Sequence, residues 1–177
     1  MSISTVSVVR PSVWIGCLAC YNADHLLGCW IDAEDADEIT PEDLHGYPTS
    51  HEELWCFDHE GLPSRIGEMS PSTAQLWGDA FEEVGEERWP AFLAWVENSG
   101  YVKNSDGLPD PSSFEDRYQG CWPSFSEYLA EEIEAMQEGW PEDAIRYFDE
   151  DAYERDARFD YTVLDADDGN VYVFLDL

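Results

Sequence analysis

Apolar residues form short clustered runs in the first and last thirds of the chain, in patterns typical of β-strands. The apolar run at residues 13–20 and the Trp30-Ile31 pair, with a polar break between them, predict two strands of a small antiparallel sheet. A further strand is predicted from Leu54 to Phe57. Two apolar runs on either side of Asp168-Gly169 predict a β-hairpin, because Asp-Gly favours a tight two-residue turn.

In the rest of the chain, apolar residues recur at intervals of three and four, which is the period of an α-helix. Helix starts are predicted at Thr40-Pro41, which acids follow, and at Ser70-Pro71. Further helices are predicted after Pro90, from Phe125 and from Pro141. The residues expected to face the core of the last four helices are Leu76, Trp77, Ala80, Phe81 and Val84; Phe92, Leu93, Trp95 and Val96; Phe125, Tyr128, Leu129, Ile133 and Met136; and Ile145, Tyr147 and Phe148.

These elements predict an α+β fold, arranged as an elongated chain of three small domains. Glycine and proline at positions 61, 63 and 67 mark the first boundary, and residues 98–111, rich in Gly, Asn, Ser, Asp and Pro, resemble a linker. We therefore expect an N-terminal α+β domain over residues 1–67, with an antiparallel sheet and a helix. A central helical domain is expected over 68–106, and a C-terminal α+β domain with helices and a β-hairpin over 107–177.

Acidic residues dominate the composition. The 177 residues include 40 Asp and Glu against 8 Lys and Arg, a formal net charge of −32. Hydrophobic residues make up 44% of the chain and include 8 Trp, which is too much apolar content for a disordered protein. The charge is not confined to a tail, since residues 31–60 alone contain 11 acids and no Lys or Arg. Such a surface disfavours direct binding to nucleic acid or anionic membranes and favours cationic partners, such as the clefts of DNA-binding proteins.

Cysteine and histidine pairs suggest a metal site that competes with this interpretation. Their spacings match those of a Cys3His zinc site. However, a strand over residues 13–20 would place Cys17 and Cys20 on opposite faces, so we interpret the cysteines as structural thiols and expect no metal ion and no cofactor. A content of about one zinc per chain would contradict this expectation. The residues concerned are Cys17-x-x-Cys20, Cys56-x-x-His59, and the nearby His25 and Cys29.

The sequence contains only incomplete matches to catalytic and metal-binding motifs, and no membrane-insertion motif. The segment from His51 to Trp55 begins like a zinc-protease helix but lacks the second histidine, so His51 is expected to be a surface residue. Asp165 to Asn170 resembles a calcium loop in composition only. The chain has no phosphate-binding glycine loop, nucleophile elbow or kinase signature, and we expect a non-enzymatic protein. It also has no membrane-length apolar run and no secretory signal pattern, which predicts a cytoplasmic location.

Several short motifs, in order along the chain, resemble the ArdA family of antirestriction proteins. They are IGCLACYN at 15–22, GCWID at 28–32, FDHEG at 57–61, IGE at 66–68 and YFDEDAYERD at 147–156. The resemblance implies three small domains in series, a homodimer shaped as a curved rod, and carriage on mobile elements of bacterial or archaeal cells. Cys17, Cys20 and Cys29 are not part of the family pattern.

The resemblance also implies a DNA mimic, whose carboxylates imitate phosphates. Its partner is the DNA-binding cleft in the methyltransferase and specificity core of Type I restriction-modification enzymes. Restriction is blocked, and an effect on modification is left open. Acids on the predicted helices and the adjoining acidic segment are expected to face the enzyme: Asp35, Asp37, Glu38, Glu42, Asp43, Glu82, Glu83, Glu86, Glu87, Glu127, Glu131, Glu132, Glu134 and Glu138.

The residues alone leave three alternatives open. The chain could be a salt-adapted acidic protein, a zinc-stabilised protein-binding module, or a DNA mimic aimed at another DNA-binding protein. Salt adaptation predicts unfolding at low ionic strength, whereas a mimic should stay folded there and bind most tightly.

Overall fold

A computed structural model describes residues 8–98 and 101–176 of the chain. The fold is α+β, as predicted, and the chain divides into two compact units, one ending at Ser112 and the other beginning at Ser113. The predicted boundary after residue 67 lies within the first unit. The division into three domains stays a prediction.

Three antiparallel strands form the sheet of the first unit, in the order β2-β1-β3. Strand β1 spans Ser12–Cys17, β2 spans Gly28–Asp32 and β3 spans Leu54–Glu60, which confirms the three strands predicted in this part of the chain. Val13 and Ile15 point to the same side of β1 and are fully buried.

The predicted strand over residues 13–20 is too long. It ends at Cys17, and a short helix, α1, spans Leu18–Asn22. The physical reason is local, because Leu18 and Ala19 are good helix formers and no β-branched residue follows Ile15 in this run. Cys20 therefore lies in a helical turn and not on a strand.

Short and long helices surround this sheet. A 3₁₀ helix spans Ala33–Glu38, α2 spans Pro41–His45, α3 spans Pro71–Val84 and α4 spans Trp89–Glu97. Both predicted starts are confirmed: the Thr40 side chain accepts a hydrogen bond from the backbone N–H of Asp43, and that of Ser70 accepts one from Thr73. These bonds satisfy amide groups that a helix N-terminus otherwise leaves unpaired.

Helix α3 packs against the sheet and the 3₁₀ helix. Five of its residues form the buried face, whereas Leu76, predicted to be in the core, is exposed. Gly78 is also buried. It lies so close to the 3₁₀ helix that a Cβ at this position would overlap the backbone of Glu34. The buried side chains of this face are Ala74, Trp77, Ala80, Phe81 and Val84.

Trp89 joins α4 to the rest of the first unit. Its indole N–H donates to the carbonyl of Gly61 at 2.8 Å, and its ring contacts Phe81 edge-on and stacks on Phe92. The sheet and the central helices therefore share one core.

A second antiparallel sheet organises the second unit, with β6 (Val171–Leu175) between β4 (Tyr118–Trp122) and β5 (Tyr161–Asp165). The predicted hairpin is confirmed, with Gly169 in the left-handed region at a φ of 85° within its turn. Strand β4, helix α5 (Pro111–Arg117) and helix α8 (Glu150–Ala157) were not predicted. The bounds are α5 Pro111–Arg117, β4 Tyr118–Trp122, α6 Phe125–Met136, α7 Glu142–Arg146, α8 Glu150–Ala157, β5 Tyr161–Asp165 and β6 Val171–Leu175.

Aromatic residues build the core of the second unit. Phe125, Tyr128, Leu129, Ala157 and Val173 form its buried cluster, as predicted for the first three. The expected role of α7 was wrong, since Tyr147 is 82% exposed and Ile145 is also exposed. A helix of five residues is too short to present an apolar stripe, and only Phe148 packs inward, against Trp140 and Tyr153. Met136, the last predicted core residue of α6, is exposed as well.

None of the helices within residues 8–98 and 101–176 is both long and apolar enough to cross a membrane.

Candidate functional site

Acidic side chains lie on the surface of both units. Among the described residues no charged side chain is buried, and all but three of the 40 acids are exposed; Glu34, Asp110 and Glu154 are half-buried. The first unit carries 21 acids and 4 basic residues, and the second carries 19 and 4. Each unit is thus strongly negative by itself, and all fourteen acids predicted to face a partner are exposed.

Three of these acids lie on the 3₁₀ helix. Its two alanines, Ala33 and Ala36, are fully buried, and with three residues per turn the other positions of the helix face outward. Asp35, Asp37 and Glu38 occupy these outer positions. The segment predicted only as acidic is therefore an ordered element with a fixed acidic side.

Glu42 and Asp43 fill the first turn of α2, where the helix dipole favours negative charge. The Asp43 carboxylate accepts hydrogen bonds from the Thr40 hydroxyl at 2.6 Å and from the Thr40 backbone N–H at 2.9 Å. These two bonds lower the pKa of Asp43, the hydroxyl bond having the larger effect. Asp43 therefore also has a structural role as a helix cap.

Glu82 on α3 is held by an arginine. A guanidinium N–H of Arg10 donates to Glu82 at 2.7 Å, and the same nitrogen lies 2.7 Å from a carboxylate oxygen of Glu34. Asp32 lies 3.7 Å from another Arg10 nitrogen, and the guanidinium also lies 5.2 Å from the centre of the Phe81 ring. Glu82 is thus partly neutralised and links α3 to the 3₁₀ helix.

Glu83, Glu86 and Glu87 do not continue Glu82 as one helical row. Helix α3 ends at Val84, and the other two glutamates follow Gly85 in the connection to α4. All three are exposed, and none forms an ion pair with a basic residue of the described chain. Their charges are available to a partner.

A groove in the second unit brings several acids together. Glu131, Glu134 and Glu138 line it with Glu150 of α8, around a volume of about 810 Å³. Its lining also includes Gln137 and four apolar residues, Ala130, Ile133, Ala135 and Ile145. Carboxylates gathered around one concave surface reinforce each other's negative potential. The groove thus brings together three of the five acids predicted in the second unit, Glu131, Glu134 and Glu138.

The remaining two acids on α6 lie outside the groove lining. Glu127 is in the first turn of α6, where its backbone N–H donates to the Ser124 hydroxyl. Glu132 accepts a hydrogen bond from the Tyr161 hydroxyl at 3.4 Å. Helix α6 therefore displays acids on more than one side.

Glu150 was missed because α8 was not predicted. The sequence did contain a helix-start signal, an Asp followed by two acids. In the structure Asp149 caps α8 by accepting a hydrogen bond from the Ala152 N–H, and the two acids lie in the first turn. Its apolar residues are too few to produce a helical period. Glu154, half-buried on the same helix, accepts bonds from Ser126 and Arg158, which lower its pKa, that of Ser126 most strongly.

Two cysteines and two histidines meet beside the first sheet. The possible ligand atoms of Cys17, Cys20, His45 and His51 all lie within 4.8 Å of one another. His51 Nδ1 is 3.2 Å from the Cys17 sulfur and 3.5 Å from that of Cys20, and His45 Nε2 is 3.7 Å from the latter. The expectation that the two cysteines lie on opposite faces is wrong, because β1 ends at Cys17. His51 is half-buried in this cluster and is not a simple surface histidine.

The other predicted pair is not part of this cluster. Cys56 is buried within the sheet, and burial raises the pKa of its thiol to about 12. His59 Nε2 lies 2.7 Å from the carbonyl of Ile66.

Comparison with known proteins gives one family. The family model described as antirestriction protein (ArdA) matches residues 13–172, which is nearly the whole chain. No curated protein gives a match. Because the match runs from β1 to β6 and spans both units, the chain belongs to the ArdA family of antirestriction proteins.

Proposed function

We propose that this chain blocks restriction by occupying the DNA-binding cleft of a Type I restriction-modification enzyme in place of duplex DNA. The observation that carries the proposal is the location of the acids: all but three of 40 are exposed, and both units carry them. Membership of the ArdA family supplies the antirestriction activity. The partner surface is the cleft of the methyltransferase and specificity core, and inhibition involves no covalent step.

The amount of charge is that of a substantial length of DNA. Duplex DNA carries one negative charge per roughly 1.7 Å of axis, so 32 net charges correspond to about 54 Å of duplex. A homodimer, which we include in the proposal, would correspond to about 109 Å, or about 32 base pairs. This is enough to occupy a long cleft rather than a single groove contact.

Many small contributions are expected instead of one dominant contact. An exposed ion pair contributes about 0.2–1 kcal/mol, so inhibition must come from many carboxylates acting together. The groove acids and the outer side of the 3₁₀ helix are the ordered groups that support this view. Because exposed charges are screened by salt, binding should weaken steeply as ionic strength rises.

The direct test is a competition experiment. A labelled DNA duplex containing the recognition site is bound to a purified Type I enzyme, and the chain is titrated in at low and at high salt. We expect the chain to displace the duplex at low salt and to lose this ability at high salt, while light scattering reports a dimer.

Three results would contradict parts of the proposal. Failure to displace the duplex at low salt while cleavage is still inhibited would contradict DNA mimicry. Retention from cell extract by other DNA-binding proteins, with no competition at a Type I enzyme, would point to another target. Unfolding of the chain at low ionic strength, followed by circular dichroism, would favour salt adaptation instead.

A further inference from the structure

We propose that Cys17, Cys20, His45 and His51 form a structural zinc site. Thiolate sulfur and imidazole nitrogen are the usual ligands of structural zinc, and a Cys2His2 set closes a tetrahedral coordination sphere. The proposal is independent of the acidic surface and of its target.

The spacing of the ligand atoms fits one bound ion. With zinc–sulfur bonds of about 2.3 Å and zinc–nitrogen bonds of about 2.0–2.1 Å, a tetrahedral site places sulfur and nitrogen about 3.5–3.6 Å apart. Three of the four sulfur–nitrogen distances here are 3.2, 3.5 and 3.7 Å. These three distances are close to the separation that a central cation requires, and all four ligand atoms lie within 4.8 Å of one another.

A single linear hydrogen bond at His51 Nδ1 does not account for both of its sulfur contacts. Nδ1 of His51 lies within hydrogen-bonding distance of both sulfurs, yet a neutral imidazole nitrogen has either one hydrogen or one lone pair. The Cys20 sulfur is shared in turn between His51 and His45. A cation at the centre of the four atoms satisfies all of these contacts at once.

Local structure positions the ligands in pairs. Cys17 ends β1, and Cys20 lies in the first turn of α1, so the change from strand to helix brings the two sulfurs to one side. His45 is the last residue of α2, and His51 lies in the segment before β3. Two residues separate the cysteines and five separate the histidines, which are ligand spacings of known structural zinc sites.

A neighbouring tyrosine orients one of the ligands. The Tyr47 hydroxyl lies 3.3 Å from His45 Nδ1 and can accept its hydrogen, which leaves Nε2 to face the sulfurs. Histidines that bind metals usually donate their second ring N–H to an oxygen in this way. Bound zinc would tie the connection between α2 and β3, which contains no helix or strand, to the end of β1.

The test is metal content combined with cobalt spectroscopy. The full chain is produced without a metal-binding tag, and zinc and iron are measured by mass spectrometry. We expect about one zinc per chain, and replacement by Co²⁺ should give the absorption of a tetrahedral thiolate complex. A chelator should release the metal and lower the melting temperature of the wild type.

Matched variants separate these ligands from neighbouring residues of the same types. Cys20→Ser and His51→Asn should lose the zinc, whereas Cys29→Ser and His25→Asn should keep it. His25 is a suitable control because it lines the same pocket as His45 and His51 but lies outside the ligand cluster.

Four outcomes would overturn the proposal. They are a metal-free wild type that gives no cobalt–thiolate absorption, iron in place of zinc, equal loss of metal in ligand and control variants, and a Cys17–Cys20 disulfide in the purified protein. If the ligand variants fail to fold, the cobalt titration of the chelator-treated wild type still decides the question.

Discussion

Gly78 on α3 lies directly against the backbone of Glu34, so closely that a Cβ at position 78 would overlap the Glu34 nitrogen. The contact seats the 3₁₀ helix on α3. Arg10 reinforces it from outside, because its guanidinium pairs with Glu34 and Glu82. The position of the acids on the 3₁₀ helix therefore depends on a residue without a side chain.

Replacing Gly78 with alanine should destabilise the protein. The new methyl group meets backbone, which cannot move aside as a flexible side chain can, and we expect a loss of about 1–3 kcal/mol in the free energy of unfolding. Urea denaturation measures this loss. Gly67→Ala is the control, since a Cβ there meets no atom within 4 Å and its φ is not positive. Equal stability of the two variants would contradict the close contact.

Arg10→Ala should have a small effect that depends on salt. The Arg10 side chain is 45% exposed, so its ion pairs contribute about 0–1 kcal/mol. Its loss also leaves two adjacent carboxylates without their counter-charge, which increases repulsion at low ionic strength. We expect urea denaturation to show a lower stability at low salt and little difference at high salt. Arg155→Ala, which removes an exposed ion pair with the adjacent Asp156, should have the stability of the wild type at low and at high salt.

Neutralising the groove should weaken inhibition in proportion to the charge removed. Substitution of Glu131, Glu134, Glu138 and Glu150 by glutamine is expected to cost about 1–4 kcal/mol of binding in the competition experiment, against about 0.2–1 kcal/mol for Glu131→Gln alone.

The control for the groove removes four exposed acids of the first unit that do not share one groove: Glu52, Glu53, Glu60 and Asp79. It should lose less binding than the groove variant, with circular dichroism confirming that both are folded. Complete loss of inhibition in Glu131→Gln would indicate a specific contact instead of a shared field.

Three of the cysteines should differ in reactivity towards an alkylating reagent. Cys29 is exposed and should react first. Partial desolvation and the nearby Asp168 carboxylate raise the pKa of the Cys121 thiol, which should slow its reaction. Cys56 is buried, and with a pKa of about 12 only about one molecule in ten thousand is a thiolate at pH 8. Peptide mass spectrometry over time measures the order, and rapid labelling of Cys56 in the folded protein would contradict it.

Elements defined by neighbouring residues could be predicted from the sequence. Thr40-Pro41, Ser70-Pro71 and Asp168-Gly169 each determine a start or a turn through local hydrogen bonds and backbone preferences. Strand β4 could not be predicted, because it contains Gly120 at a φ of 110° and is stabilised by pairing with β6, some fifty residues later. Such pairing leaves no periodic signal in the segment itself.

Contacts between residues distant in sequence also limited the prediction of the candidate site. Exposure of the acids follows from their number, since so many charges cannot be buried. Which acids pair with a basic residue cannot be predicted from their number. Glu82, for example, accepts a hydrogen bond from Arg10, which lies 72 residues away in the sequence. The cysteine and histidine cluster was missed for a related reason. A strand through Cys20 would place the two cysteine side chains on opposite faces, but the five-residue helix after Cys17 brings them together. His51, which contacts Cys17, lies 34 residues further along the sequence.

The interior of the described chain holds no charged side chain. The apolar residues that form the core and the charged residues that set the surface potential are therefore separate sets. A series of variants can therefore remove, one at a time, the surface carboxylates that neither cap a helix, as Asp43 and Asp149 do, nor pair with Arg10. Such a series would act as a calibrated scale, relating the number of negative charges on a protein to its power to take the place of DNA.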